Sequence, residues 1–337
     1  MRIIQKLQFK NFLSSTLINK KYKVKIIPII KFFLIIGLFY YLFKTEYIDI
    51  KNLIKINFIE NFFIIILIIL IISFTYFLGA LRWWLILKSF NYKLNFLYIL
   101  KITYIGSFFN NVLFGSYGGD LVKGYYIYKS TNNSVKPAFT IIIDRLFGLI
   151  GLTVVGVITF IIFANGEFLK YFIINYNLLA KLILGIFLLS AILIIFLLYQ
   201  NSLIKKIKLV INYFKKFLLI TKKNFFISLI CILLSTVIFT LVHIGTFFIS
   251  DIIYDFKIGV EKIFLINFFT TITNALPITP GGLGLGELAF IKTYNFFSDN
   301  QYHATEIANV VILYRVFNIV TSIPGIFLYI LNVKKNI

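Results

Sequence analysis

The chain has 337 residues, 60% of them hydrophobic and 19% aromatic, and a net charge of +22 at pH 7. With one cysteine, Cys231, and two histidines, His243 and His303, it excludes an intramolecular disulfide and thiolate metal clusters. The lysines sit at the ends of apolar runs, so the charge reads as topology and anionic-lipid contact and not as a nucleic-acid surface.

Several apolar runs reach the length of about 20 residues that a bilayer crossing takes. The longest polar stretch between them, 200–224, is too short for a separate soluble domain. The expected fold class is therefore an all-α polytopic membrane protein. Residues 1–25 form a basic cytosolic segment carrying Arg2, Lys6, Lys10, Lys20, Lys21, Lys23 and Lys25, with no small-residue cleavage site after it. A transmembrane domain follows over 26–335.

Six full spans are predicted, at 26–43, 62–81, 138–163, 178–199, 225–249 and 305–331. Placing the N-terminus in the cytosol puts Arg82, Lys88 and Lys93 inside. It also puts inside the seven lysines of 200–224, which carry no acid. The loop at 250–262, with Asp251, Asp255 and Glu261 against two lysines, then faces out, and the tail ends in the cytosol. Residues 203–223, with lysines at helical spacing, read either as an interfacial helix on the inner leaflet or as a plain basic loop.

Two further apolar segments, 97–118 and 264–297, are interrupted by glycine-rich stretches. A shift of 163 residues lays Asn111, Leu113, Gly118 and Gly119 on Asn274, Leu276, Gly281 and Gly282. Backbone that leaves the helix inside a bilayer survives only where it is buried in protein or lines a cavity. Two such breaks in corresponding halves point to a midplane binding site. Both segments are expected to be re-entrant hairpins, the first opening from the cytosol and the second from outside. The expected architecture is an inverted repeat with halves at 62–163 and 225–331. Kinked full spans are the alternative.

Gly118, Gly119 and Asp120, and the run from Gly281 to Glu287, each precede an expected helix start. Converging glycine amides at a helix N-terminus can hold a phosphate. The same glycines also permit close helix packing in lipid. Neither stretch is a Walker loop or a dinucleotide-binding fingerprint. Of four arginines, Arg145 and Arg315 lie deep in apolar runs, where a charge must face the bundle interior or a water-filled cavity. A planar guanidinium suits bidentate phosphate contact. For Arg145 the competing assignment is an ion pair with Asp144 or Glu287. His243 is expected at a helix interface, with a hydrogen-bond partner. His303 is expected to be solvated. Lys101, Lys123 and Glu306 are boundary residues that snorkel or join a polar pathway.

The runs Gly-Gly-Asp-Leu-Val-Lys at 118–123, Asp-Arg-Leu-Phe-Gly-Leu at 144–149, Pro-Gly-Gly-Leu-Gly-Leu-Gly-Glu at 280–287 and Tyr-Arg-Val-Phe-Asn at 314–318 resemble the lysylphosphatidylglycerol synthase transmembrane region, or flippase-like, family. The resemblance covers roughly 25–335. It implies a lipid flippase activity without the soluble aminoacyl-transferase domain that multi-domain members carry after the membrane region. It also implies a substrate site at Gly118, Gly119, Asp120, Arg145, Pro280, Gly281, Gly282, Gly284, Glu287 and Arg315.

The expectation is an integral cytoplasmic-membrane lipid transporter, not an enzyme, that moves an anionic phospholipid or lipid-linked substrate between leaflets without a cofactor or a metal. Its expected partners are membrane lipids with an anionic headgroup, not nucleic acid. A lipid-modifying transferase and a second copy of the chain remain open as partners. The alternative function is a membrane enzyme or accessory subunit in lipid aminoacylation or lipid-linked glycan synthesis.

Overall fold

A computed structural model describes residues 57–112, 118–131, 139–163, 224–253, 259–275, 282–297 and 304–334. The spans expected at 26–43 and 178–199, the basic segments at 1–25 and 203–223, and Pro280, Gly281 and His303 lie outside the described residues. The described residues are helical, with no strand among them. In chain order the helices are α1 (Phe62–Ser89), α2 (Phe96–Val112), α3 (Gly118–Ser130), α4 (Phe139–Phe163), α5 (Phe225–Ile252), α6 (Val260–Ala275), α7 (Leu285–Phe297), α8 (Ala304–Ser322) and α9 (Pro324–Lys334).

Four stretches are long and apolar enough to cross a membrane: Phe62–Ser89, Phe139–Ile162, Phe225–Ile252 and Ile307–Leu331. They answer to four of the six expected spans. Their outward faces are apolar, as lipid contact requires: Phe63, Leu70, Ile161, Phe226 and Leu331 are all exposed. Their inward faces pack with α6 and α7 into a core in which Ile68, Ile72, Ile249, Ile266, Phe290 and Val310 meet.

Two expected boundaries move, each for a physical reason. The first described span does not end before Arg82. Helix α1 continues to Ser89 and takes Arg82 into the protein interior, because Asp144 and Ser235 receive its guanidinium. Asn91, in the left-handed region at φ 62°, then turns the chain. Asn95 opens α2 as its N-cap, accepting from the amide of Leu97 at 3.0 Å. The last span is broken in two. Pro324 has no amide hydrogen to donate, so it begins α9 where none is needed.

The two halves pack by the same plan. Helices α1 and α5, each of 28 residues, lie against each other at the centre. Helix α1 also packs on α2, α4 and α8, and α5 on α6, α8 and α4. Helix α2 packs on α3 and α8; α6 packs on α7 and α4. Helix α3 touches α4, and α7 touches α8. Each glycine-broken segment is thus a pair of helices folded against each other and braced on the opposite half.

The α4–α6 brace depends on Gly156, whose missing side chain is replaced by the ring of Phe268. A methyl group there collides with the ring. Gly156→Ala is expected to lower stability by about 1–3 kcal/mol, the usual cost of overpacking, read as a lower unfolding midpoint in detergent. An unchanged midpoint would show that the ring moves aside freely.

Candidate functional site

The first hairpin closes on itself through backbone. Asn110, near the end of α2, accepts the Gly119 amide at 2.7 Å. Gly119 is buried, and a Cβ on it would run into the carbonyl of Gly106 on α2. Gly118, Gly119 and Asp120 do not precede α3. They are its first turn. The Gly119 amide is committed to Asn110 and faces α2, so in this conformation it does not point at a substrate. Gly119→Ala is expected to destabilise the protein at least as much as Gly156→Ala, because the contact is backbone and not a movable ring. Equal midpoints for Gly119→Ala and the parent chain would refute that close contact.

The second hairpin reaches a similar end by a different turn. Gly282 and Gly284 adopt left-handed φ values of 70° and 77°, which an L side chain resists. Asn274, near the end of α6, lies against Gly282 and Gly286, with its Oδ1 buried. Helix α7 then begins at Leu285, with Glu287 in its first turn.

The structure therefore changes the register between the halves. Helices α1 and α5 keep the 163-residue shift, but α3 and α7, each of 13 residues, are offset by 167. Gly119-Asp120 corresponds to Gly286-Glu287, and Gly282 lies before the start of α7.

Each acidic residue meets the arginine of the following helix. Arg145 on α4 binds Asp120 through Nη2 at 2.9 Å and Nε at 3.0 Å. Arg315 on α8 donates Nε to Glu287 Oε1 at 2.9 Å. Its Nη2 donates to Glu287 Oε2 at 3.4 Å and to the Gly282 carbonyl at 3.0 Å. Arg145 pairs with neither Asp144 nor Glu287. The two pairs differ in access: the Arg145 side chain is 48% exposed, whereas Glu287 is 2% exposed.

Asp144 has its own arginine. Arg82 donates Nε to Asp144 Oδ1 at 2.7 Å and Nη1 to Ser235 Oγ at 2.8 Å, joining α1, α4 and α5. The charge pattern of the sequence places Arg82 on the cytosolic side, just after the span expected at 62–81. The signal for the pair was Asp144 itself, since a carboxylate inside an apolar run needs a cation. Lys123 lies within electrostatic reach of Asp120, Asp144, Arg145 and Arg82, and its Nζ sits 5.4 Å from the Trp83 ring centre.

A polar seam links the halves near the α8–α9 break. Asn111 donates to the Asn318 carbonyl at 3.0 Å, to Ser322 Oγ at 3.2 Å and to the Tyr76 hydroxyl at 3.3 Å. Tyr76 in turn donates to Asn318 Oδ1 at 3.1 Å. Hydropathy gave no sign of it. His243 is fully buried at the α5–α6 interface, edge-on to Phe264 at 5.0 Å, and neither of its nitrogens has a hydrogen-bond partner. The hydrogen bond expected for it is not found among the described residues; the interface position is as expected. Of the remaining boundary residues, Lys101 opens on a cleft of about 270 Å³ with Ser73, Tyr104 and Thr321.

The arrangement is thus two helical hairpins, each presenting a glycine–acid step to an arginine, and a third ion pair beside the first. The chain is similar in sequence to UPF0104 membrane proteins. The UPF0104 membrane protein PH1989 of Pyrococcus horikoshii is 31% identical over 131 residues, covering 38% of this chain and 39% of that protein. The UPF0104 membrane protein MJ1595 of Methanocaldococcus jannaschii is 25% identical over 296 residues, covering 79% of this chain and 84% of that protein. The match thus spans about two fifths of the first relative and most of the second. No solved structure matches. The family described as the lysylphosphatidylglycerol synthase TM region matches residues 29–325, and the chain belongs to that family.

Proposed function

We propose that the protein is a lipid transporter of the cytoplasmic membrane that moves an anionic phospholipid or lipid-linked substrate between leaflets. The observation that carries this reading is the repeated glycine–acid–arginine constellation on two folded helix pairs, each braced on the other half of the molecule. In this reading the pairs are re-entrant hairpins of an inverted repeat, opening from opposite sides. Such repeats rock about a site near the midplane. The arginines exchange a carboxylate for a lipid phosphate, two acceptors of matching geometry. Both termini are cytosolic, and a lipid-modifying transferase supplies or uses the substrate.

The deciding experiment is a leaflet-resolved assay in proteoliposomes with several labelled lipids. Protein-dependent movement of an anionic lipid is the expected result. Chemical conversion of a lipid by the purified chain, without movement, would replace transport with the enzymatic reading.

Orientation is tested separately, in a Cys231→Ser background. A cysteine at exposed Lys129 at the end of α3, or at Lys215, is expected to resist impermeant thiol reagents in intact cells. A cysteine at Asp255 is expected to label. Labelling at position 129 from outside would show that the first pair crosses the membrane fully.

A further inference from the structure

The last span is broken partway across, and donors from the other half of the molecule meet the broken end. Pro324 has no amide hydrogen, so the Val320 carbonyl takes the Ile323 amide instead, at 3.2 Å. The Ile319 carbonyl takes the Ser322 hydroxyl at 2.8 Å. One turn before Ser322, the Asn318 carbonyl accepts from Asn111 at 3.0 Å and from the Tyr76 hydroxyl at 3.3 Å. Asn318 is the twelfth of the 25 residues of Ile307–Leu331, and Tyr76 is the fifteenth of the 28 residues of α1. The seam therefore lies near the middle of both helices. Irregular backbone at that depth survives only under protein or beside a cavity.

The two sides of the break are held by different parts of the fold. Helix α9 lies along α2: Gly325 leaves no room for a Cβ against the Tyr104 carbonyl, and the Tyr329 ring meets Phe109 edge-on at 5.1 Å. Helix α8 is tied to α7 through Arg315 and Glu287. Helix α8 also touches α2, and the seam is the polar part of that contact. It is made of neutral side-chain hydrogen bonds, from Asn111 to Asn318 and Ser322 and from Tyr76 to Asn318. Each is worth little net, because water can take its place. Asn111 is exposed and Ser322 is fully buried, so the seam has an open side and a closed side. The cleft of about 270 Å³ beside Tyr104, Thr321 and Pro324 adjoins the break and leaves α9 space to move.

We propose that this seam is a latch between the halves. It is closed in this conformation and parts when the halves rock, with the last span bending at Pro324 and α9 following α2. Asn111 is its positioning residue, since one amide group holds both the Asn318 carbonyl and the Ser322 hydroxyl. The inference rests on the transport reading and names the contact that controls the movement.

The first test does not depend on transport. In a Cys231→Ser background, Ser322→Cys places a thiol on the closed side of the seam. Its rate of modification by a water-soluble maleimide is measured on the full chain in detergent. Asn111→Leu keeps the side chain's cover and removes its donors. It is expected to raise the rate about tenfold, as the loss of two hydrogen bonds implies. Tyr76→Phe is expected to raise it severalfold. Gly156→Ala, which loosens the distant α4–α6 brace, is expected to leave it unchanged. No rise with Asn111→Leu, or an equal rise with Gly156→Ala, would overturn the latch.

The second test locks the seam. Asn111→Cys and Ser322→Cys are joined by a short bifunctional methanethiosulfonate, and each single cysteine serves as the reagent control. Leaflet exchange in proteoliposomes is expected to fall tenfold or more and to recover on reduction. Full exchange with the link intact would overturn the latch. If the thiol rates responded as expected but the parent chain exchanged no lipid, the transport reading would fall and the latch would stand. Exchange by the parent chain without any thiol response would do the reverse.

Discussion

Asp144→Leu is expected to lower unfolding stability by about 3–5 kcal/mol, the cost of stripping one partner from a buried ion pair. Arg82 and Asp144 have side chains 11% and 15% exposed, so water does little to rescue either one left alone. The lost carboxylate is also what holds Arg82 Nη1 on Ser235, so the change reaches α5 as well as α1 and α4. Arg82→Met should cost a similar amount through the orphaned carboxylate. The double variant should cost clearly less than the two singles added, since a shape-matched apolar pair can replace a buried ion pair almost without loss. The measurement is a double-mutant cycle on detergent unfolding midpoints. Strictly additive losses would mean that the two side chains do not act as a pair.

The Arg82–Asp144 pair joins helices that no local sequence pattern connects. The spans were legible because a helix in lipid must be apolar over a fixed length, and four of those expected reappear among the described residues. The glycine breaks were legible because irregular backbone is forbidden in lipid unless protein covers it. The positive-inside rule treats a cation after an apolar run as a boundary, and nothing local reveals that α1 continues two turns beyond Arg82. The pairings of Arg145 with Asp120 and Arg315 with Glu287 join residues 25 and 28 apart on separate helices, a reach no local periodicity encodes. The 163-residue register does not hold at α7, because Gly118 and Gly119 begin α3 whereas Gly282 and Gly284 precede α7 in left-handed conformations. Gly119 serves helix packing and Gly282 serves a left-handed turn, two demands that one residue type satisfies. In the sequence, Asn111 stands out only as the repeat partner of Asn274. Its contacts with Tyr76, Asn318 and Ser322 depend on the two halves being folded together.

Arg315→Lys is expected to reduce lipid transport by about tenfold to a hundredfold, while the protein still inserts and folds. The substitution keeps the charge and removes the fork. Arg315 reaches both oxygens of Glu287 and the Gly282 carbonyl from two nitrogens of one plane. An ammonium is a point donor and cannot reproduce that geometry. A lost hydrogen bond to a charged group is worth about 1.5–3 kcal/mol, which sets the expected range. Arg315→Leu goes further, because it leaves Glu287, 2% exposed, as an unpaired buried carboxylate. Its stability should fall by about 3–5 kcal/mol along with its transport. The discriminating variant is Arg315→Leu combined with Glu287→Leu. If the pair only holds α7 against α8, removing both charges should restore stability and transport together. If the pair must open and close as the halves rock, stability should return and transport should not. Recovery of both, measured as unfolding midpoint beside leaflet exchange in proteoliposomes, would reduce Arg315–Glu287 to a strut. Recovery of stability alone would place the pair in the moving part of the protein, where the Gly282 carbonyl connects it to the turn that opens the second hairpin.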